Sequence, residues 1–566
     1  MSTFLTAQAF PRGLLAPELF LGVVSSVAAQ SVGVNLTEAG RPSGAFYRGA
    51  RYGRGEVGEL VLIEGQQSLL LGRIREIRLP DPDRRSLTAV PRRLDDLDAI
   101  GNIQLLGCVA LDTLEVTAGV DAYPRLGDRI YAAPHRFVAL LPQLMRGERP
   151  EKDTVALDLG TVGNAAEAAV SLRPEKLFGR HCAILGTTGG GKSWTTARII
   201  QECLKYPSKV ILLDATGEYR GFDGPGVKHC HLGAPLETAA ASAGCSLPPT
   251  SFLESDFVAL FEPAGKVQGP KLRAAIRSLR LANLVERLAP NGFIEKIGRS
   301  KRDVEAAERR PEIAASLDDP RQGFDARHLV RQIEQECVYP DAFGEIRGQK
   351  DLTKWGLEDG NFSHCLPLVA RINGVLTSPA FRCVFHAASL PSLTDGISEF
   401  HNSADRLLRL DLSGIHYEFN AREIIANVVG RHLLELARSG AFRTRPAVVL
   451  VDEAHNFLGR HIGTEDYASK LDAFELIAKE GRKYGLCLCL ATQRPRDITE
   501  GVISQMGTLI VHRLTNDRDR EVVERACGEI DRSASAFLPN LRPGEAVIIG
   551  TDFPIPLMLQ ILEPST

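Results

Sequence analysis

The sequence predicts an α/β protein: a parallel sheet with a β-rich domain ahead of it and a helical insertion inside it. Three observations predict this. Short apolar runs separated by turn residues fill the first 165 positions, strand–helix–strand alternation begins at His181, and helical hydrophobic spacing interrupts that alternation before residue 400.

In the N-terminal part, Leu19 to Ala28 is apolar and Gly53 to Gly58 is turn-like. Leu60 to Ile63, Leu69 to Ile74, Ile103 to Ala110, Leu114 to Thr117 and Val138 to Leu141 read as short strands, and Arg125 to Asp128 has turn chemistry. Many short strands with regular turns suggest a small barrel. No catalytic cluster accompanies them, so the segment reads as an interaction or oligomerisation module.

In the core, the apolar strand Cys182 to Leu185 runs into a glycine-rich loop and a helix, Trp194 to Tyr206, and the next strand, Val210 to Leu213, ends at Asp214. Leu272, Ala275, Ile276 and Leu279 then recur at helical spacing, as do Leu281, Leu284, Val285 and Leu288. The basic stretch Lys271 to Arg310 fits a solvated helix face as well as a DNA contact. The sheet resumes with strands at Leu407 to Leu412, Ala447 to Val451, Leu486 to Ala491 and Thr508 to His512, and helices at Arg422 to Arg438 and Phe474 to Tyr484. Ala546 to Ile549 and Leu557 to Leu562 complete it as β-strands.

The composition is that of an ordinary globular protein, 44% hydrophobic and 24% charged over 566 residues, enough for about three or four domains. A net charge of −3 excludes a uniformly basic nucleic-acid coat, yet leaves room for a channel lined with Lys and Arg. No apolar run of about 18 residues appears, so no membrane span is expected. The N-terminus, Met1-Ser-Thr-Phe-Leu, has no basic region ahead of an apolar core, so no signal peptide is expected. The 11 cysteines form no CxxC pair, which suggests a reducing cytoplasm, and Cys487 and Cys489 sit on one face of a strand as core residues do.

Chemistry concentrates in the sheet. Gly186-Thr187-Thr188-Gly189-Gly190-Gly191-Lys192-Ser193 matches the P-loop pattern in full, between a strand and a helix. Its glycines let backbone N–H groups curl around phosphate oxygens, and the helix N-terminus adds partial positive charge. Lys192 is suited to the β- and γ-phosphates and Ser193 to Mg²⁺, and the nucleotide-binding stretch is expected to run from Gly186 to Trp194. Ala447 to Val451 followed by Asp452 and Glu453 has Walker B form: Asp452 serves the metal shell, and Glu453 orients or deprotonates the attacking water. Between Lys192 and Asp452 lie some 260 residues, far more than a minimal RecA-like core needs, so the helical stretch belongs inside that core.

Weaker signals follow. Gln493, after the strand ending at Thr492, is placed to contact both γ-phosphate and water; a plain strand-to-loop turn is the competing reading. Glu480 to Gly485 reads equally as a helix C-terminus and as an arginine finger carried by Arg482. Asp214 to Tyr219 reads as a turn or as a source of carboxylates, Asp214 or Glu218, beside the ligand crevice.

Together these segments resemble the HerA family, within the HerA–FtsK group and closest to its bacterial type. The resemblance rests on Leu185 to Ser193, Asp214 to Tyr219, Val451 to His455, Glu480 to Gly485 and Ala491 to Pro495, with Gly53 to Ile74 similar to the family's HAS-barrel. It implies a RecA-like P-loop ATPase with an N-terminal HAS-barrel-like domain over residues 1–165, core segments at 166–268 and 401–550, a helical bundle at 269–400, and a strap at 551–566 reaching a neighbouring subunit. It further implies a homohexamer around double-stranded DNA, driven by ATP and Mg²⁺, with Lys192, Ser193, Asp452, Glu453 and Gln493 in the roles above. Arg482 becomes the finger acting in trans, and Arg180 is similar to a family arginine that reaches a nucleotide across the subunit interface. A NurA-like nuclease or a defence effector is expected on the barrel face, in DNA end resection and repair or in anti-phage defence. Two rival readings remain: a ring scaffold that assembles and controls an effector with ATP as a switch, and a motor that moves protein substrates. The barrel and insertion favour DNA over protein as the moved polymer. Loops near Arg460 to Lys470 and Arg496 to Gln505 are candidates for backbone-directed DNA contact, with a solvated loop the alternative.

Overall fold

Six N-terminal strands close on themselves because their apolar side chains alternate. The computed structural model describes residues 11–39, 44–78, 99–145, 155–162, 168–233, 242–343, 349–387, 389–458, 461–462, 469–526 and 532–564. Around the barrel the strands run Ser31–Leu36, Phe20–Val27, Arg129–Ala132, Leu60–Ile63, Ser68–Arg78 and Ala99–Ala110. The last pairs antiparallel with the first, from Ser31↔Gln104 to Leu36↔Ala99, and closes the ring. Val32, Val34 and Leu36 are fully buried while their neighbours along the strand are half-buried. Leu21, Val61, Ile63, Ile74, Ile103 and Ile130 complete the interior. Closure leaves no unpaired strand edge in the ring.

Val138 to Leu141 is not a strand. It lies in the helix His135–Leu144, whose Phe137, Val138 and Leu141 are buried at helical spacing. A four-residue apolar run carries no period that separates the two structures. Leu114 to Thr117 is likewise mostly turn, with Leu114 at φ 58° and only Val116–Ala118 extended.

The chain divides into two units. The first comprises Met1–Tyr206, Thr492–Arg496 and Ile503–Ser565; the second comprises Pro207–Ala491 and Asp497–Val502. Beyond the barrel, the first unit holds six strands in the order Ala169–Leu172, Leu157–Thr161, Phe553–Ile561, Glu545–Gly550, Thr508–Val511, Cys182–Leu185. Only Cys182–Leu185 and Thr508–Val511 run parallel. The expected strap is therefore corrected: Phe553–Ile561 is an interior strand, bonded on one side to Glu545–Gly550 and on the other to Leu157–Thr161. Its alternating Phe553, Ile555, Leu557, Leu559 and Ile561 are all buried.

The second unit is built on parallel strands in the order Leu486–Thr492, Ala447–Val451, Val210–Asp214, Leu407–Asp411, Val227–His231, Ala243–Gly244. Val210–Asp214 and Leu407–Asp411 are buried at every position, as strands covered on both faces are. The chain leaves this sheet after Ala243–Gly244 and returns at Leu407–Asp411, whose register with Val210–Asp214 runs from Val210↔Leu407 to Asp214↔Asp411. The excursion is mainly helical, with Glu254–Phe261, Gly265–Leu284, Leu329–Glu336 and Phe362–Thr377 packed together. The Glu336 carboxylate ties them by accepting from Ser278, Gln332 and Lys296 at 2.7, 2.9 and 2.7 Å. Leu281 to Leu288 is not one continuous helix: Gly265–Leu284 ends first, and a 3₁₀ turn, Glu286–Leu288, follows. Among the described residues, no helix is long and apolar enough to cross a membrane.

A buried charge network crosses the second sheet. Arg409, 1% exposed, donates from Nε to Asp214 Oδ2 at 2.7 Å and from Nη2 to Asp411 Oδ2 at 2.8 Å. Removing one partner of such a network strands the others without water. Arg409→Met leaves two buried carboxylates facing each other and is expected to cost about 3–5 kcal/mol of folding free energy, read by urea denaturation. A loss under about 1 kcal/mol contradicts this account of the sheet.

Candidate nucleotide site

In the first unit, the buried strand Cys182–Leu185 delivers the loop Gly186 to Gly191 to the helix Lys192–Leu204. Gly189 and Gly191 take φ 74° and 113°, the left-handed region that a side chain rarely enters. At Gly186 space also decides the residue: a Cβ there would lie 2.6 Å from the Cβ of His512. The loop's outer wall is tied to the neighbouring strands. Gly186 N–H donates to Thr492 O at 3.3 Å, and Thr187 donates to Arg513 O through its N–H at 3.0 Å and its hydroxyl at 3.1 Å. Gly190 N–H closes the turn onto Thr187 O at 3.0 Å.

The sequence-predicted residues of this unit gather at the loop. Lys192 is buried at the first position of the helix, whereas Ser193 and Trp194 are exposed beside it. The Thr188 hydroxyl donates to Gln493 Oε1, so the candidate sensor touches the P-loop directly. Arg180 does not join them. It lies at the other end of the strand Cys182–Leu185, about 20 Å of extended chain from Gly186, half-exposed, with Nε 3.5 Å from Asp552.

In the second unit, Val210–Asp214 and Ala447–Val451 run side by side, with Leu213 opposite Val451, and bring their acidic ends together. Asp452 is 4% exposed. Burial pushes its carboxyl up to about 7, and the charges of Glu453, Asp214 and Glu218 add to the effect. Glu453 sits at φ 45°, a strained conformation for a residue with a side chain, and its Oε2 lies 3.3 Å from His455 Nδ1. A carboxylate held this far up among other carboxylates favours a cation, the charge balance a divalent metal supplies.

Asp214 resolves toward the turn. It accepts from Gly217 N–H at 2.7 Å and Tyr219 N–H at 3.2 Å, besides Arg409. Glu218 is exposed and acts on Asp452 through its charge. Arg482 is exposed on the 3₁₀ turn Gly481–Tyr484, and Gly485 ends that turn at φ 80°. A Cβ at Gly485 would lie 2.1 Å from Phe442 O, so the tight exit that presents Arg482 requires glycine. Residues 459–460 and 463–468, most of the first loop proposed for DNA contact, lie outside the described residues.

Comparison with known proteins gives this geometry relatives. The model for the central domain of helicase HerA matches residues 157–337. A probable helicase of Methanocaldococcus jannaschii is 25% identical over 419 residues, 72% of this chain and 70% of that protein. The DNA double-strand break repair helicase HerA of Pyrococcus furiosus is 23% identical over 421 residues, 72% of this chain and 69% of that one. These matches make the chain similar to the HerA family. The chain is an ATPase. Among solved structures, VirB4 of Thermoanaerobacter pseudethanolicus is similar at 14% identity and a TM-score of 0.43, over 73% of this chain and 97% of that one.

The raised Asp452 gives the site a pH signature. Below about pH 4 the carboxyl is protonated in folded and unfolded chains alike. As pH rises toward about 7, only the unfolded chain gains the ionised form, so stability falls through that window and levels off above it. Asp452→Asn removes the fall. The variant is expected to be more stable than wild type at pH 8, by on the order of 3 kcal/mol, while losing ATP hydrolysis. Parallel stability–pH curves for the two proteins contradict the assignment.

Proposed function

We propose that this ATPase is a motor on duplex DNA, assembled as a homohexameric ring in the cytoplasm and coupled to a partner nuclease or defence effector. The observation that carries the reading is the contact of Gln493 with Thr188: a residue on the sheet's ligand edge reads the phosphate loop itself. Loss of γ-phosphate at that loop is then felt by the segment Pro495 onward, which a motor needs in order to convert hydrolysis into movement. The HerA relatives carry the name of DNA repair helicases, which supports DNA as the moved polymer.

We assign the P-loop backbone, Gly186 to Gly191, and Lys192 to the phosphates, with Trp194 exposed beside them. Ser193 and Asp452 hold Mg²⁺, which when bound neutralises phosphate charge. Glu453 orients or deprotonates the attacking water, and Gln493 contacts it and the γ-phosphate. Arg482 and Arg180 act in trans. Arg180 stands at the far end of its own P-loop strand, and Arg482 is exposed on its turn, so each is free to serve a neighbour's nucleotide better than its own. The domain plan is a barrel over 1–165, a two-part RecA-like core and the helical insertion between its parts. The barrel exposes Phe46, Val57, Tyr123 and Leu126, which supports its role as the effector's dock.

Two experiments test this. Lys192→Ala is expected to abolish both ATP hydrolysis and DNA processing by the ring with its effector; full effector activity on the mutant ring would point instead to an ATP-regulated scaffold. Mixing Arg482→Ala with Lys192→Ala subunits is expected to restore part of the ATPase rate, because a good finger then meets a good P-loop across an interface. No recovery in mixed rings contradicts action in trans.

A further inference from the structure

His512 follows the strand Thr508–Val511, the parallel neighbour of the P-loop strand, and is fully buried. Its backbone N–H donates to Leu185 O at 2.7 Å, which sets it directly behind the P-loop. Its ring is held at both nitrogens. Nδ1 lies 2.8 Å from the Glu545 carbonyl oxygen, and Nε2 lies 2.8 Å from the Thr195 hydroxyl. Burial pushes the imidazole down to about 4, and the nearby Lys192 ammonium opposes its protonation further. The ring is therefore neutral at pH 7, with one proton to place. A carbonyl only accepts, so Nδ1 carries the proton, and Nε2 accepts from Thr195.

Thr195 stands on the first turn of the P-loop helix, three residues after Lys192, and its N–H donates to Gly191 O at 3.0 Å. His512 also shapes the loop by contact. A Cβ at Gly186 would meet its Cβ at 2.6 Å, and one at Gly191 would meet its Cε1 at 3.2 Å. Next to Glu545, Gly544 N–H donates to Gly190 O at 3.3 Å. The imidazole thus joins the loop, the first helical turn and the strand Glu545–Gly550 at one point.

We propose that His512 is the positioning residue of the phosphate cradle: through Thr195 and the glycines it rests against, it fixes the P-loop helix start in the orientation that binds nucleotide phosphates. It touches no phosphate itself. A neutral acceptor suits the position, because an imidazolium there would set a second cation against Lys192 and reverse the Thr195 bond. The inference rests on the P-loop being the nucleotide site.

The test uses the full chain and measures fluorescent ADP and ATP-analogue affinity, KM, kcat and thermal unfolding. His512→Ala and Thr195→Val are each expected to weaken nucleotide at least tenfold and to raise KM more than they lower kcat. The double variant is expected to be no worse than the poorer single one, because both cut the same bond. His512→Gln, which keeps an acceptor toward Thr195, is expected to recover most of the affinity. Wild-type affinity in folded His512→Ala, or losses that add in the double variant, overturn the proposal. If His512→Ala does not fold, Thr195→Val decides alone, and unchanged affinity there overturns it. A wild-type chain that binds no nucleotide overturns both this inference and the P-loop reading.

Discussion

The backbone of Gly186 to Gly191 must turn tightly between its strand and its helix, and that single requirement organises the rest of the site. Left-handed φ at Gly189 and Gly191 makes the curve possible but does not hold it. A loop of glycines loses much conformational entropy on ordering, so something must fix it from outside. Here the fixing comes from neighbours in the sheet: Thr492 O, Arg513 O and Gly544 N–H bond the loop from behind, and His512 fills the space beneath it. Thr492 and Arg513 each sit at the C-terminal end of a strand, where ligand crevices open in such sheets.

The second unit solves an opposite problem. Its sheet delivers acidic residues to one edge, and like charges there repel. Asp214 is neutralised by Arg409 and by its own turn, so it stabilises the fold, whereas Asp452 is left buried beside Glu453 with its charge unrelieved. The two aspartates end neighbouring strands, yet one is structural and the other is poised for a cation. What separates them is the buried arginine one strand away, which only three-dimensional register supplies.

That difference also marks how far the sequence could be read. The P-loop and Walker B strands were legible because each joins an unbroken apolar run to residues of fixed chemistry. The barrel was legible from short apolar runs between turn residues, such as Leu60–Ile63, whereas the alternating strand Ser31–Leu36 was missed. Val138 to Leu141 misled because four apolar residues carry no period; Leu557 to Leu562 was legible as a strand, but nothing local reveals the partners on both sides of Phe553–Ile561. His512 was invisible as a functional residue. A lone histidine ending a strand has no motif, and its importance comes from Thr195 and Glu545, hundreds and tens of residues away in the chain.

The central claim is that ATP hydrolysis by this chain moves it along duplex DNA. Displacement of a labelled third strand from a DNA triplex measures that movement directly, without requiring the effector. The account predicts displacement that depends on ATP, grows slower as the duplex track lengthens, and disappears when ATP is replaced by a non-hydrolysable analogue. Robust ATP hydrolysis with no strand displacement on any duplex track would contradict it.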